Sequence, residues 1–159
     1  MTIKTSAGVR LLIGPAHNIT YAETTAGRAA AVTALKALAY VEIGEVEDAG
    51  ELGDEASTAD FVALANRRKR KVKGTFDAGT QQITLGQDPK DAGQKAVKAA
   101  LSSDDNYAIQ MDYGDGSADF YTGQVLSFRK QIGTAESIRK ATVSVAINSA
   151  IYEQEAPAT

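Results

Sequence analysis

The stretch from Val72 to Leu101, VKGTFDAGTQQITLGQDPKDAGQKAVKAAL, constrains the chain most, because its hydrophobic period changes once and abruptly. As far as Leu85 the period is two. Val72, Gly74 and Phe76 share one side against Lys71, Lys73 and Thr75, and Gln81, Ile83 and Leu85 alternate with Gln82 and Thr84. Between them Asp77-Ala78-Gly79 has the composition of a three-residue hairpin loop, with glycine where a left-handed φ costs least. The expectation is a β-hairpin with one buried face.

From Asp88 the period becomes helical. Asp88 is the expected N-cap, Pro89 suits the first helical position, and Asp91 adds negative charge near the positive end of the dipole. The polar stripe is Asp91, Gln94, Lys95, Lys98 and Ser102, and the opposite one is Ala92, Gly93, Ala96, Val97, Ala100 and Leu101. That second stripe is wide, small and smooth, which suits a helix lying close against a sheet. Gly93 weakens such a helix by about 0.8–1.0 kcal/mol relative to alanine, so packing must hold it. The pattern predicts one α-helix over about 89–102.

The rest of the chain reads as strands joined by turns. Val9 to Ile13 alternates and is expected to end at Gly14-Pro15. The remainder to Ala34 is rich in Ala and Thr and reads as a partly extended N-terminal arm or an ordinary surface loop. Residues 37–46 and 60–65 read as strands, as does Tyr107 to Tyr113, with a Gly114-Asp115-Gly116-Ser117 turn leading to its partner at Asp119 to Arg129. Ile138 to Tyr152 is the longest strand candidate, and 153–159 reads as a mobile tail. With 159 residues, the chain is expected to form a single domain, 1–159. The expected class is mainly β: an antiparallel β-sandwich or barrel of about eight strands with one flanking α-helix and long loops.

Charge is distributed in blocks. From Glu42 to Asp60 acids stand at 42, 45, 47, 48, 51, 54, 55 and 60 with no Lys or Arg among them, and Gly50 and Gly53 suggest a long exposed loop. The sign then reverses at Arg67, Arg68, Lys69, Arg70, Lys71 and Lys73. Acid next to base suggests a self-complementary surface, one copy's acidic loop meeting another's basic edge in a head-to-tail contact that makes rings or open stacks. The alternatives are a charge match inside one subunit, or lysines guarding a sheet edge.

Chemistry is sparse. Cysteine is absent and His17 is the only histidine, which leaves no thiol catalysis, no disulfide, little for a zinc site and no evident triad; His17 reads as a surface residue. Asp112 to Asp119 is better explained as a hairpin turn than as a calcium loop, because Gly114 and Ser117 stand where the loop wants a ligand and a glycine. The basic run has no aromatic among its cations to stack bases, and the net charge of −3 implies no general affinity for nucleic acid. No run approaches the ~20 apolar residues of a membrane span. The expectations are no enzyme, no catalytic residues, no metal and no cofactor.

Five segments carry a family resemblance: Ala7-Gly-Val-Arg-Leu-Leu-Ile-Gly-Pro15, Tyr40-Val-Glu-Ile-Gly-Glu-Val-Glu-Asp-Ala-Gly50, Arg70-Lys-Val-Lys-Gly-Thr-Phe-Asp-Ala-Gly79, Asp88-Pro-Lys-Asp-Ala-Gly-Gln-Lys-Ala96 and Ile147-Asn-Ser-Ala-Ile151. In this order they resemble the major tail tube proteins of long-tailed, lambda-like bacteriophages. The resemblance implies a β-sandwich with a flanking helix, assembled as hexameric rings that stack head to tail into a hollow conduit for genome delivery. It implies partners among the tail proteins (terminator, baseplate or distal tail, tape measure), and genomic DNA passing through the lumen without specific binding. The location implied is the virion tail, after synthesis in the host bacterial cytoplasm. It supplies no catalytic motif to carry over. Within it, Glu47, Asp48, Glu51, Asp54 and Glu55 are expected on a loop reaching the adjacent ring, with Arg67, Arg68 and Arg70 as their partners or facing the neighbouring subunit. Other readings are a tail terminator, a baseplate hub protein, or a nucleic-acid-binding β module.

Overall fold

Strict alternation places Val143, Val145 and Ile147 on the inner side of one strand and Gln81, Ile83 and Leu85 on the inner side of its neighbour, all buried. The structure, a computed structural model describing residues 3–18 and 21–157, builds the chain from β1 (Arg10–Ala16), α1 (Thr25–Lys36), β2 (Val41–Ile43), β3 (Val46–Asp48), β4 (Glu55–Val62), β5 (Lys69–Asp77), β6 (Thr80–Gly86), α2 (Ala92–Leu101), β7 (Tyr107–Asp112), β8 (Ala118–Gln131), β9 (Lys140–Ile147) and β10 (Tyr152–Gln154). It is mainly β and antiparallel, as expected.

The main sheet runs β2-β1-β7-β8-β9-β6-β3, with β10 added on β8. Its two end strands, β2 and β3, are joined by only Gly44 and Glu45, so the sheet must curl until its edges almost meet. The bend is made in β8. Its first half pairs with β7 and β10 and its second half with β9, and the register shifts between Val125 and Ser127. An extra residue there, Leu126, is a β-bulge that turns one long strand from the first layer into the second. Inside lie Leu11, Ile13, Ile43, Ile83, Leu85, Ile109, Met111, Tyr121 and Val125, with Val97 and Ala100 entering from α2. The remaining void among them is only about 10 Å³ and wholly apolar, at the lower limit for holding one water.

The helix α2 begins later than the sequence suggests. Asp91, not Asp88, is the N-cap: its carboxylate accepts from Gln94 N at 2.9 Å and also from Gly44 N at 3.1 Å. Asp88 instead accepts from Lys90 N in a turn that holds Pro89 outside the helix. Gln94, expected on the polar side, is fully buried. Its Nε2 donates to the carbonyls of Gly44 at 3.1 Å and Gly86 at 2.8 Å, and its Oε1 accepts from Asp88 N. Leu101, expected in the apolar stripe, is exposed. At Gly93 the helix presses on the sheet, since a Cβ there would lie 2.1 Å from the Glu42 carbonyl oxygen.

Five further expectations are corrected. Residues 25–36, read as irregular arm, form α1, N-capped by Thr24 whose hydroxyl accepts from Gly27 N. Ala31 and Leu35 pack it on Ala108, Phe120 and Tyr152, a second core outside the first layer. The helix ends at Lys36, residues 37–40 belong to neither helix nor strand, and the 37–46 strand shortens to Val41–Ile43, with Val46 already in β3. Gly14-Pro15 does not end β1: the strand bulges between Ile13 and Ala16 and resumes opposite Tyr107. The longest strand is β8, because the chain leaves β9 at Asn148, where its N–H donates to Thr122. Glu153 and Gln154 pair in β10 rather than forming tail. The parts of the arm and tail readings that fall on Met1, Thr2, Ile19, Thr20, Ala158 and Thr159 lie outside the described residues.

Candidate assembly surface

The largest departure from expectation lies in β5. The shared face expected of Val72, Gly74 and Phe76 is broken by a β-bulge, because Thr58 pairs with Lys73 but Ala56 with Phe76. Asp77-Ala78-Gly79 is a turn, with Gly79 at φ 72° and its backbone N–H donating to the Asp77 side chain. Yet β5 does not pair with β6. It pairs with β4, from Val62 opposite Lys69 to Glu55 opposite Asp77, as a separate two-stranded ribbon. Every residue of β5 is exposed. The turn therefore leads from one sheet to another, and the residues expected to be buried have no cover among the described residues.

Residues directly opposite share a side of a ribbon. Ala59 faces Val72 and Phe61 faces Arg70, so Phe61 and Val72 line one side, both more than half exposed. The register shift between Ala56 and Thr58 puts Phe76, opposite Ala56 and 63% exposed, on the other side. The other side carries Lys69, Lys71 and Lys73 with Asp60, which pairs with Lys69. At the tip Arg67 adopts φ 53°, its N–H donates to Ala63, and Leu64 is 100% exposed.

The charged residues distribute along the ribbon. Glu47 and Asp48 lie on β3, Glu51 and Asp54 in the connection to the ribbon, and Glu55 at its root, opposite Asp77. Arg67 and Arg68 lie in the turn at the tip, and Arg70 on β5 opposite Phe61. The stretch read as one long acidic loop is thus interrupted by β2, β3 and the start of β4. The structure does not bring the two groups together. Glu47 pairs with Lys140 at 2.8 Å, and Asp48 accepts from Gly50 N. Among the described residues, Arg67, Arg68 and Arg70 have no carboxylate within 4.0 Å. The sequence pattern shows the charges but not the exposure of Leu64 and of Phe61 and Val62, which face opposite sides of the ribbon just before the basic run.

Carboxylates of the β7–β8 turn are engaged by the protein itself. Asp112 accepts from Gly114 N and from Arg10, contacts that together hold its pKa below the ordinary value. Asp115 is held low by Ser117 first and then Lys4. Asp119 accepts from the Tyr113 hydroxyl, whose pKa rises through burial and then that contact. His17, expected at the surface, is half-buried, its N–H donating to Asn106. Among the described residues no cluster of His, Cys, Asp and Glu is placed to hold a metal, and no helix is long and apolar enough to cross a membrane.

The family model described as lambda phage tail tube protein matches residues 21–152. Among curated proteins nothing matches the chain. Several solved structures share its fold. The sheath/tube terminator of an extracellular contractile injection system, PVC, in the extended state is 8% identical with TM-score 0.64, over 98% of this chain and 99% of that one. A protein in the tail of an empty GTA particle, refined with C6 symmetry, is 12% identical with TM-score 0.60, over 73% and 87%. The SPP1 tail tube is 15% identical with TM-score 0.58, over 94% and 78%.

Proposed function

The chain belongs to the lambda phage tail tube protein family, and we propose that it forms hexameric rings that stack into a hollow conduit for the phage genome. It is a structural subunit of a virion tail. One observation carries the assembly reading: a two-stranded ribbon, separate from the main sheet, exposes Phe61 and Val72 on one side, Val62 and Phe76 on the other and Leu64 at its tip. A two-stranded ribbon is marginal in water by itself, and exposed apolar area of this kind marks an interaction site. Six-fold symmetry of the GTA tail that shares the fold supports the ring number.

Glu47, Asp48, Glu51, Asp54 and Glu55 would lie near the ribbon root of one copy and meet Arg67, Arg68 and Arg70 at the tip of another. Root and tip differ in sign, which favours a heterologous contact, one that closes as a ring or continues as a stack. Terminator, baseplate or distal-tail and tape-measure proteins are its further partners. DNA slides through the lumen without specific binding, and the subunit performs no catalysis. A conduit that held its cargo would oppose ejection.

Electron microscopy of the concentrated protein and of intact tails tests this. The expected result is stacked rings with a channel wide enough for duplex DNA. A tail whose repeating ring is another protein would overturn it. A second reading, a terminator, draws on the likeness to the PVC sheath/tube terminator. It predicts closed rings that do not stack.

A further inference from the structure

Beside the ribbon root lies an open groove of about 1230 Å³, walled by the N-terminal segment from Lys4 to Val9 on one side and Glu47 to Leu52 on the other. Its end is the β7–β8 turn. Val9, Val46, Leu52 and Met111 supply an apolar floor, all of them packed against the main core. The charged groups at the rim are Glu47, Asp48 and Asp115 with Lys4; Lys4 pairs with Asp115 and Lys140 with Glu47, which leaves Asp48 without a cation and the rim net negative. The groove is therefore apolar below and negative above.

Resting on the assembly reading, we infer that this groove is the seat for the ribbon tip of a second copy of the chain, with Leu64 as the anchor. The complement is specific in kind. Leu64 stands wholly exposed at the tip, and Arg67 and Arg68 follow it within the same turn. A leucine entering an apolar trough, with two guanidinium groups landing on a carboxylate rim, satisfies both parts of the surface. The tip cannot fold back to its own groove. The eight residues of β4, at roughly 3.3 Å each, span up to about 26 Å between root and tip. Each copy thus presents a seat at one end of the ribbon and a plug at the other.

The absence of native cysteine makes the test direct. A protein carrying Leu64→Cys with Ala49→Cys, whose position lines the groove, is concentrated under mild oxidation and read on a non-reducing gel beside micrographs. The expected result is a ladder of cross-linked species beyond the dimer, with neither single variant giving one. No ladder where micrographs contain tubes overturns the groove and leaves the tube reading intact. A ladder from particles that never form tubes supports the groove and counts against the tube. Neither ladder nor tubes counts against both. As a second measurement, Leu64→Asp, at a site that touches nothing in the monomer core, should raise the concentration needed for assembly about tenfold or more. Unchanged assembly by that variant overturns the anchor.

Discussion

Tyr121 and Gln81 meet inside the closed sheet, the Tyr121 hydroxyl hydrogen-bonded to the side-chain oxygen of Gln81. The same amide donates to the Ala49 carbonyl at 2.8 Å, so one polar pair ties β8 and β6 to the segment that leads into the ribbon. Both residues are fully buried. Tyr121→Phe would leave the Gln81 oxygen without a partner in an apolar interior. The expected loss is about 1–3 kcal/mol in denaturant unfolding. A midpoint equal to the parent's would mean that the oxygen finds another donor.

Gly93→Ala makes a test in which local and tertiary effects oppose each other. Helix propensity alone favours alanine by about 0.8–1.0 kcal/mol. Against it, the new methyl would sit 2.1 Å from the Glu42 oxygen and 2.5 Å from the Ile43 Cα, both backbone atoms. Overpacking of that kind typically costs about 1–3 kcal/mol. The variant should therefore be less stable overall; a more stable protein in thermal unfolding would show that α2 stands off the sheet.

Charge reversal at the tip separates assembly from folding. Arg67, Arg68 and Arg70 are exposed and have no carboxylate partner among the described residues, so replacing all three by Glu should leave circular dichroism and the unfolding midpoint within about 0.5 kcal/mol of the parent. Assembly should be blocked, and assembly of the parent protein should weaken with salt. Tubes of ordinary length from the triple variant would sink the pairing with Glu47, Asp48, Glu51, Asp54 and Glu55.

The clamp on the N-terminal segment should respond to acid. Asp112 and Asp115 have pKa values lowered in the folded state, by Gly114 N and then Arg10 in the first case and by Ser117 and Lys4 in the second. A depressed carboxylate contributes stability above its unfolded value of about 3.9. That contribution is lost as pH falls through the lower folded values. The protection factor of the Val9 amide, whose N–H donates to the Ser6 carbonyl at 3.2 Å, should fall as pH drops through those values and stay constant between neutrality and pH 5. Carboxyl titrations at ordinary values would remove the clamp.

Much of the fold is legible in the sequence where one face is buried by the chain itself. Val143, Val145, Ile147, Ile83 and Leu85 alternate because the core lies on one side of them, and the Gly114 to Ser117 turn follows from turn chemistry alone. Helix α1 was hidden because its buried residues are small. Ala31 and Leu35 stand four apart behind a Thr24 cap, a faint helical signal in an alanine-rich setting. Gln94 was misplaced because a buried amide with three partners reads, by composition, as a surface residue. On β5, alternation announces one apolar side at Val72 and Phe76, but a bulge between Lys73 and Phe76 separates them, and the pattern carries no information about which molecule covers either. Asp77-Ala78-Gly79 has the right turn chemistry, yet turn chemistry does not choose between returning to the same sheet and entering another.

The passage of β8 through both layers has a consequence for how the subunit yields. Its fourteen residues hold β7 and β10 at one end and β9 at the other, so neither layer can open without stripping a ladder from the other. The barrel should melt as one cooperative unit. The ribbon lies outside that unit, joined to it only through residues 49–54 and 78–79. In a free subunit it is a foldon of low stability that opens while the barrel stays shut, so the part of the molecule that meets other copies is also the part left most free to adjust to them.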